Sequence, residues 1–266
     1  MRSVGDRQPE SPPGPGEGFR WARHGREWLL QCDRLVPLAH GWTIRATAFG
    51  TQDQRCGVRR NELASLGGVA SDRVRQPRQV HSSRVVEAAA TVPEDGEGAD
   101  GVVTRDPSLL VTVRVADCVP LLIADAKTGA VGAVHAGWRG TLAGIAVRAV
   151  ERMTGLFGSH PADLVAAAGP SIGPCCYEVG SDLRERFVRA GWADQSVERW
   201  FGTPGARRLD LWRANRDQLM AAGVPEAAVL VAGLCTVCHP EWFYSYRREG
   251  ERTGRMFAFI RANGSG

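Results

Sequence analysis

The sequence of 266 residues predicts an α+β domain with mixed β-sheets. Three observations lead there. From about Trp28, strand-like and helix-like segments alternate along the chain. The stretch "LLIADAKTGAVGAVHAGW" holds two apolar runs joined by Ala126-Lys127-Thr128-Gly129, a hairpin signal that a purely parallel, doubly wound sheet would lack. No linker or low-complexity tract follows the N-terminal stretch, so residues 19–266 read as one domain and residues 1–18, rich in Pro, Gly and charge, as a disordered tail.

Each element has its own local reason. "WTIRATAFG" alternates and ends in Gly, a strand. "RCGVRRNELASLGG" carries helix formers and stops at Gly67-Gly68. "RQPRQVHSSRVVEA" gives a short β run flanking His81, and "EGADGVVT" is a turn entering a strand. "SLLVTVRVADCVP" is β-branched and runs to Ala116-Asp117-Cys118. The second arm of the hairpin delivers His135 at its end. "GTLAGIAVRAVERMTG" is then a helix, with Thr141 as N-cap and Gly155 as terminator. "DLVAAAG" is a strand, "PSIGPCCYEVG" a Gly/Pro-rich turn, and "SDLRERFVRAG" a helix opened by Ser181. "LDLWRANRDQLMAAGV" is a helix capped by Asp210. "AVLVAGLCT" is a strand, and "GRMFAFIRA" adds one at a sheet edge.

Composition bounds the function. A chain 43% hydrophobic and 23% charged is that of an ordinary globular protein, and a scattered net charge of +4 does not argue for nucleic acid. Lys127 is the only lysine, so the positive charge is almost all arginine. The N-terminus lacks the apolar run of a secretory signal, and no stretch approaches the roughly 20 apolar residues of a membrane span. The expectation is a cytoplasmic enzyme without membrane or nucleic-acid partners. Seven cysteines then do not make a disulfide framework. "CTVCH", from Cys235 to His239, spells a haem-attachment motif, but that attachment belongs to exported proteins, so no haem is expected. Cys238 and His239 are read as completing the motif by coincidence, and Cys175-Cys176 as part of a packed turn.

Three ligand-type residues stand at predicted strand ends: His81, Cys118 and His135. Two imidazoles and a thiolate suit Zn²⁺ with a fourth position open, and copper accepts the same set. Their separations of 37 and 17 residues match no generic zinc motif, so on spacing alone hydrogen-bonded histidines and a buried thiol are the readier explanation. In "VHAGWRGTLAG" a strand enters a helix through Gly137 and Gly140, where free N–H groups and Arg139 suit a phosphate; a tight turn with a solvated Arg is the plain alternative. Asp117 and Asp100 are each a general base, a partner to a ligating His, or a turn residue. Cys118 paired with His135 also has the form of a nucleophile and its base.

"QVHSSRV", "ADCVPLLI", "VHAGWRG", "GPSIGPCCYEVG" and "CTVCHPEWFYSYRREGERTGR" occur in this order. Together they resemble the motif series of the laccase-domain family, named for multicopper polyphenol oxidases and more recently for purine nucleoside phosphorylases, over about residues 42–260. The resemblance implies a layered α/β/β/α sandwich and one zinc ion on His81, Cys118 and His135. It implies phosphorolysis of adenosine, inosine, guanosine and methylthioadenosine, with adenosine deamination. The chemistry would fall to Cys118, Asp117 and Arg139, and phosphate or nucleoside binding to Arg139, Gly140 and Arg247. Arg248 and Arg255, in the same closing motif, either brace the fold or hold an anion. A copper-dependent polyphenol oxidase and a peptidoglycan-editing role are the alternatives. Ser82 stands where the family usually has Gly, and its side chain is expected to narrow the metal pocket.

Overall fold

The computed structural model describes residues 11–25, 27–45, 56–88, 98–203 and 205–263. Residues 46–50, in which the first predicted strand ends, and residues 1–10 of the predicted tail lie outside them. Residues nearer the domain are docked: the Gly16 N–H donates to the Ala232 carbonyl at 2.8 Å, and the Trp21 indole N–H to Pro13 at 2.8 Å.

Two six-stranded sheets form the centre. The first contains β1 (Phe19–His24), β2 (Glu27–Cys32), β3 (His40–Thr43), β4 (Val74–Arg75), β7 (Leu110–Val115) and β12 (Met256–Arg261), in the order β1-β2-β3-β12-β7-β4. The second contains β5 (Val85–Glu87), β6 (Gly101–Thr104), β8 (Val119–Asp125), β9 (Val131–Ala136), β10 (Leu164–Ala168) and β11 (Val229–Val231), in the order β11-β10-β8-β9-β6-β5. Most pairs are antiparallel, whereas β4–β7, β5–β6 and β10–β11 are parallel, so both sheets are mixed.

The two-residue period of a strand sorts side chains into three apolar layers. Along β8, Val119, Leu121 and Ile123 face the helices, while Leu122 and Ala124 face the other sheet. Along β12, Ala258 and Ile260 enter the space between the sheets, and Phe257 and Phe259 face outward. There α1 (Cys56–Gly67) covers them through Leu63 and Ala64. On the far side, α3 (Ile145–Phe157), α4 (Leu183–Arg189), α5 (Asp194–Phe201) and α6 (Leu211–Ala221) cover the second sheet. Helix α3 does so with Ile145, Ala149, Val150, Met153 and Phe157, one face at helical spacing, each large side chain stabilising by about 1.5–3 kcal/mol when buried. The result is one domain layered α/β/β/α.

Several local expectations change in the folded chain. β12 lies in the middle of its sheet, between β3 and β7, rather than at an edge. The predicted helix from Gly140 is two helices: α2 (Trp138–Leu142) ends at Gly144, whose φ of 74° breaks the path before α3. Thr141 therefore caps nothing; it is buried, and its carbonyl accepts from the Gln218 side chain at 2.8 Å. Helix α3 runs through Gly155 and stops at Gly158, at φ 70°. Asp210 does cap α6, accepting the Arg213 N–H at 2.9 Å. The β1–β2 hairpin and α5 had no place in the sequence reading.

Candidate metal centre

The hairpin of β8 and β9 aims the first two groups. Pro120 pairs with His135 in its register, so Cys118, just before β8, meets His135 near the end of β9. His81 comes from the loop between β4 and β5. One ligand atom from each of the three residues lies within 4.8 Å of the others. The two imidazoles meet edge to face, 4.9 Å between centroids at 78°. His135 is buried, Cys118 partly exposed and His81 exposed, so the cluster opens to solvent on the His81 side.

Asp100, fully buried, organises the histidines. Its Oδ1 accepts from His135 Nδ1 at 2.8 Å and from the His81 N–H at 2.9 Å. Its Oδ2 accepts from the Val80 N–H at 3.2 Å, the Ser82 N–H at 2.6 Å and the Ser82 hydroxyl at 2.8 Å. Burial pushes this carboxyl up, but the bonds from His135 and Ser82 outweigh it and bring the pKa down to about 2. With Nδ1 of His135 committed to Asp100, Nε2 is left for the cluster, the arrangement seen when a histidine ligates a metal. Ser82 does not narrow the pocket. Its hydroxyl turns back to Asp100, a role that a glycine cannot take.

Burial also opposes ionisation of Cys118, yet His135 and His81 bring its thiol down to about 6. His135 is raised to about 9 by Cys118 and Asp100 against its own burial. The thiolate form of Cys118 is the one that ligates a metal, and His135 gives up its Nε2 proton when it binds beside it. Backbone space is reserved as well. A Cβ on Gly137 would stand 2.8 Å from Cys118 Sγ and 3.5 Å from the His81 ring. Among the described residues, His81 and Asp117 are the two non-glycine positions with positive φ, at 61° and 84°, and both flank the cluster.

Asp117 is occupied by donors from the C-terminal part of the chain. Its Oδ1 accepts from the Thr236 hydroxyl at 2.6 Å, and its Oδ2 from the Ser245 hydroxyl at 3.1 Å and the Arg247 N–H at 2.6 Å. Three donors on a buried carboxylate tie the β7–β8 turn to the segment that opens α7 (Tyr246–Glu249). Gly140 is buried beneath the 81–82 loop, where a Cβ would meet the Ser82 carbonyl at 3.0 Å; it presents no open face to a ligand.

The arginines divide by task. Arg248 braces the fold, donating to the carbonyls of Thr236 at 2.9 Å and Phe243 at 2.8 Å and to Glu249 at 2.8 Å. Arg247 is exposed, bonded to the Glu178 carbonyl at 2.8 Å, with its guanidinium 5.3 Å from the Tyr177 ring centre. Arg139 is exposed and stacks on Trp138 at 4.4 Å. Tyr177, absent from the sequence reading, links these groups. Burial raises its hydroxyl pKa, the Cys118 and Asp117 charges add to the rise, and Arg247 and Arg139 oppose it. Arg255 lies within electrostatic reach of Cys118 and Asp117, and burial lowers its pKa. A cationic and aromatic rim thus borders the His-Cys-His cluster. The only sequence signal for Tyr177 was its place in "CCYEVG".

The cysteines depart most from expectation. Cys175, Cys176, Cys235 and Cys238 converge, their sulfurs all within 4.8 Å of one another, so Cys238 does more than complete a motif by coincidence.

The family model described as "Multi-copper polyphenol oxidoreductase laccase" matches residues 42–263. A protein of Deinococcus radiodurans named purine nucleoside phosphorylase is 43% identical over 201 residues, spanning 76% of this chain and 75% of the relative. A protein of an unknown prokaryotic organism named adenosine deaminase RL5 is 38% identical over 206 residues, 74% of this chain and 78% of its own. The crystal structure of YlmD from Geobacillus stearothermophilus superposes with a TM-score of 0.80 at 31% identity, covering 92% of this chain and 99% of that one. In both motif order and fold, the chain belongs to the multi-copper polyphenol oxidoreductase laccase family.

Proposed function

We propose that the chain is a purine nucleoside phosphorylase that also deaminates adenosine, working at one zinc ion held by His81, Cys118 and His135. The observation that carries this reading is the donor set itself: two imidazoles and a low-pKa thiolate gathered within 4.8 Å, with space kept clear by Gly137. The names of the relatives supply the substrate class. A zinc ion held by His81, Cys118 and His135 would supply a Lewis acid and would lower the pKa of a bound water to about 7.

The chain's own residues supply the rest. Arg139, Arg247 and Arg255 hold the phosphate, which attacks the anomeric carbon as the bond to the purine breaks; the arginine charge positions that oxyanion. Tyr177 lines the pocket beside Arg247 and gives the nucleoside an aromatic face. Asp100 fixes the orientation of His135 and the His81 loop. Asp117 acts as a positioning residue, holding Thr236, Ser245 and the start of α7, and does not serve as the base. Adenosine, inosine, guanosine and methylthioadenosine are the substrates to test.

A copper oxidase is the less favoured reading. Four-electron reduction of oxygen uses additional copper centres, and the other ligand cluster among the described residues is four cysteines without histidine. A panel of purine nucleosides with and without phosphate, monitored for free base and ammonia beside a phenol oxidation assay, tests the proposal. Base release that needs phosphate is the expected outcome. Phenol oxidation without nucleoside turnover would sink it.

A further inference from the structure

We propose that Cys175, Cys176, Cys235 and Cys238 form a second metal centre, a structural tetrathiolate zinc site that pins two loops beside the catalytic pocket. It is independent of the reaction proposed above.

The four residues come from two places in the chain. Cys175 and Cys176 lie in the turn after Gly173, and Cys235 and Cys238 follow β11. They are brought together by a bridge between Ser171 and Cys235, in which the Ser171 N–H donates to Leu234 and the Thr236 N–H to Ser171, both at 3.1 Å. Cys238 Sγ stands 3.6 Å from Cys175 Sγ and 3.5 Å from Cys176 Sγ. Those separations far exceed the roughly 2.05 Å of a disulfide. They approach the edge of about 3.8 Å that four sulfurs make around an ion at the usual Zn–S distance of about 2.3 Å.

The backbone is arranged for a thiolate. Cys235 Sγ accepts the Gly173 N–H at 3.3 Å and receives further N–H groups from Val237 and Cys238, the two residues that close its own C-x-x-C turn. Positive charge sits on the outer side of each loop: the Arg208 guanidinium donates to the carbonyls of Pro174 and Cys175, and that of Arg248 to those of Thr236 and Val237. Four thiols binding one Zn²⁺ release four protons and leave a centre of net charge −2, and the Arg208 guanidinium beside it offsets part of that charge.

Simple apolar packing accounts poorly for the arrangement. A cysteine acting as a small hydrophobe is buried, as Cys32 is in the core. Cys175 and Cys238 are exposed, yet their sulfurs converge with those of Cys176 and Cys235. Four thiols within 4.8 Å of one another favour zinc or an iron–sulfur centre, and four protein ligands leave no open position for catalysis. The consequence is mechanical. One loop leads directly to Tyr177 and the other to Thr236, which holds Asp117, so one ion fixes both walls of the pocket.

Metal content per chain tests this. Protein purified without chelator is expected to carry two zinc equivalents, one remaining in Cys118→Ala, one in Cys238→Ser and none in the double variant. Cobalt(II) loaded into Cys118→Ala should give the intense sulfur-to-metal charge-transfer bands of a tetrathiolate. This spectrum decides the matter if Cys238→Ser fails to fold. A single equivalent abolished by Cys238→Ser would support the tetrathiolate centre and remove the one at Cys118. A single equivalent that only Cys118→Ala abolishes would overturn the proposal. So would a mass spectrum showing a disulfide among the four cysteines in protein handled without oxidant.

Discussion

Asp100 shows how much of the metal cluster rests on one side chain. Five donors converge on its carboxylate, including His135 Nδ1 and both the N–H and the hydroxyl of Ser82. Asp100→Asn is expected to weaken metal affinity by about 10–100-fold, the usual effect of removing a ligand's outer partner. Competition with a chromophoric chelator measures this, and unchanged affinity would count against the assigned role. Gly137→Ala places a methyl 2.8 Å from Cys118 Sγ at an ordinary φ of −75°, so the sulfur must move while the backbone need not. A folded variant with depleted metal is the expected outcome; full occupancy would show that the thiolate tolerates the shift. Ser82→Gly removes two hydrogen bonds, the one its hydroxyl donates to Asp100 and the one it accepts from the Arg84 N–H, and is expected to lower stability by about 1–3 kcal/mol in chemical denaturation. A gain in activity instead would mean that the hydroxyl obstructs the pocket after all. At this scale the sequence was informative wherever a side chain announces its chemistry, as at His81, Cys118 and His135. It was silent on partners: nothing local to Asp100 separated a carboxylate that holds a ligating histidine from a turn residue, because His135 lies 35 residues away.

Among the elements, those defined by nearest neighbours were legible and those defined by distant pairing were not. The β8–β9 hairpin followed from its own turn, where Gly129 adopts φ 74°. The capping of α6 by Asp210 is equally local. By contrast, β12 reads as an edge strand near the chain's end, yet it pairs with β3, more than 200 residues earlier, and with β7. The break between α2 and α3 falls at Gly144, whose φ of 74° the helical pattern did not reveal. Strand β3 also carries a titrating group that matters to stability. His40 is buried; its Nε2 accepts the Cys32 N–H at 3.0 Å and its Nδ1–H donates to Leu38 at 2.9 Å, so the ring fits as the neutral form. Burial lowers its pKa below the ordinary 6.5. As pH falls through that value, the unfolded chain binds a proton that the folded chain resists, so stability declines on the acid side. The contribution is complete above the unfolded value and is lost through the lowered folded one. His40→Gln should flatten the fall of the urea midpoint between about pH 7 and about pH 5; an unaltered slope would assign the acid sensitivity elsewhere.

In the molecule as a whole, the two sheets meet face to face, and β8, buried along its full length, leads from Cys118 at the site in between the two core layers. The α+β class was readable from the alternation of elements and the hairpin, and the layered arrangement from the resemblance in five ordered motifs. The convergence of the four cysteines was not readable, because its two pairs lie about 60 residues apart and only the fold joins them. No helix among the described residues is long and apolar enough to cross a membrane. If metal binds the folded chain alone, chelation should lower the melting temperature and added zinc should restore it, by linkage of binding to folding. The most direct test of the function is a side-by-side assay of zinc-loaded wild type and Cys118→Ala, with a purine nucleoside and phosphate, quantifying free base and ribose 1-phosphate together. The expected result is equimolar release of the two products, dependent on phosphate and at least about 100-fold slower in the variant. Equal rates in both proteins, or no sugar phosphate from any of the four nucleosides, would contradict the assignment of the His81–Cys118–His135 centre.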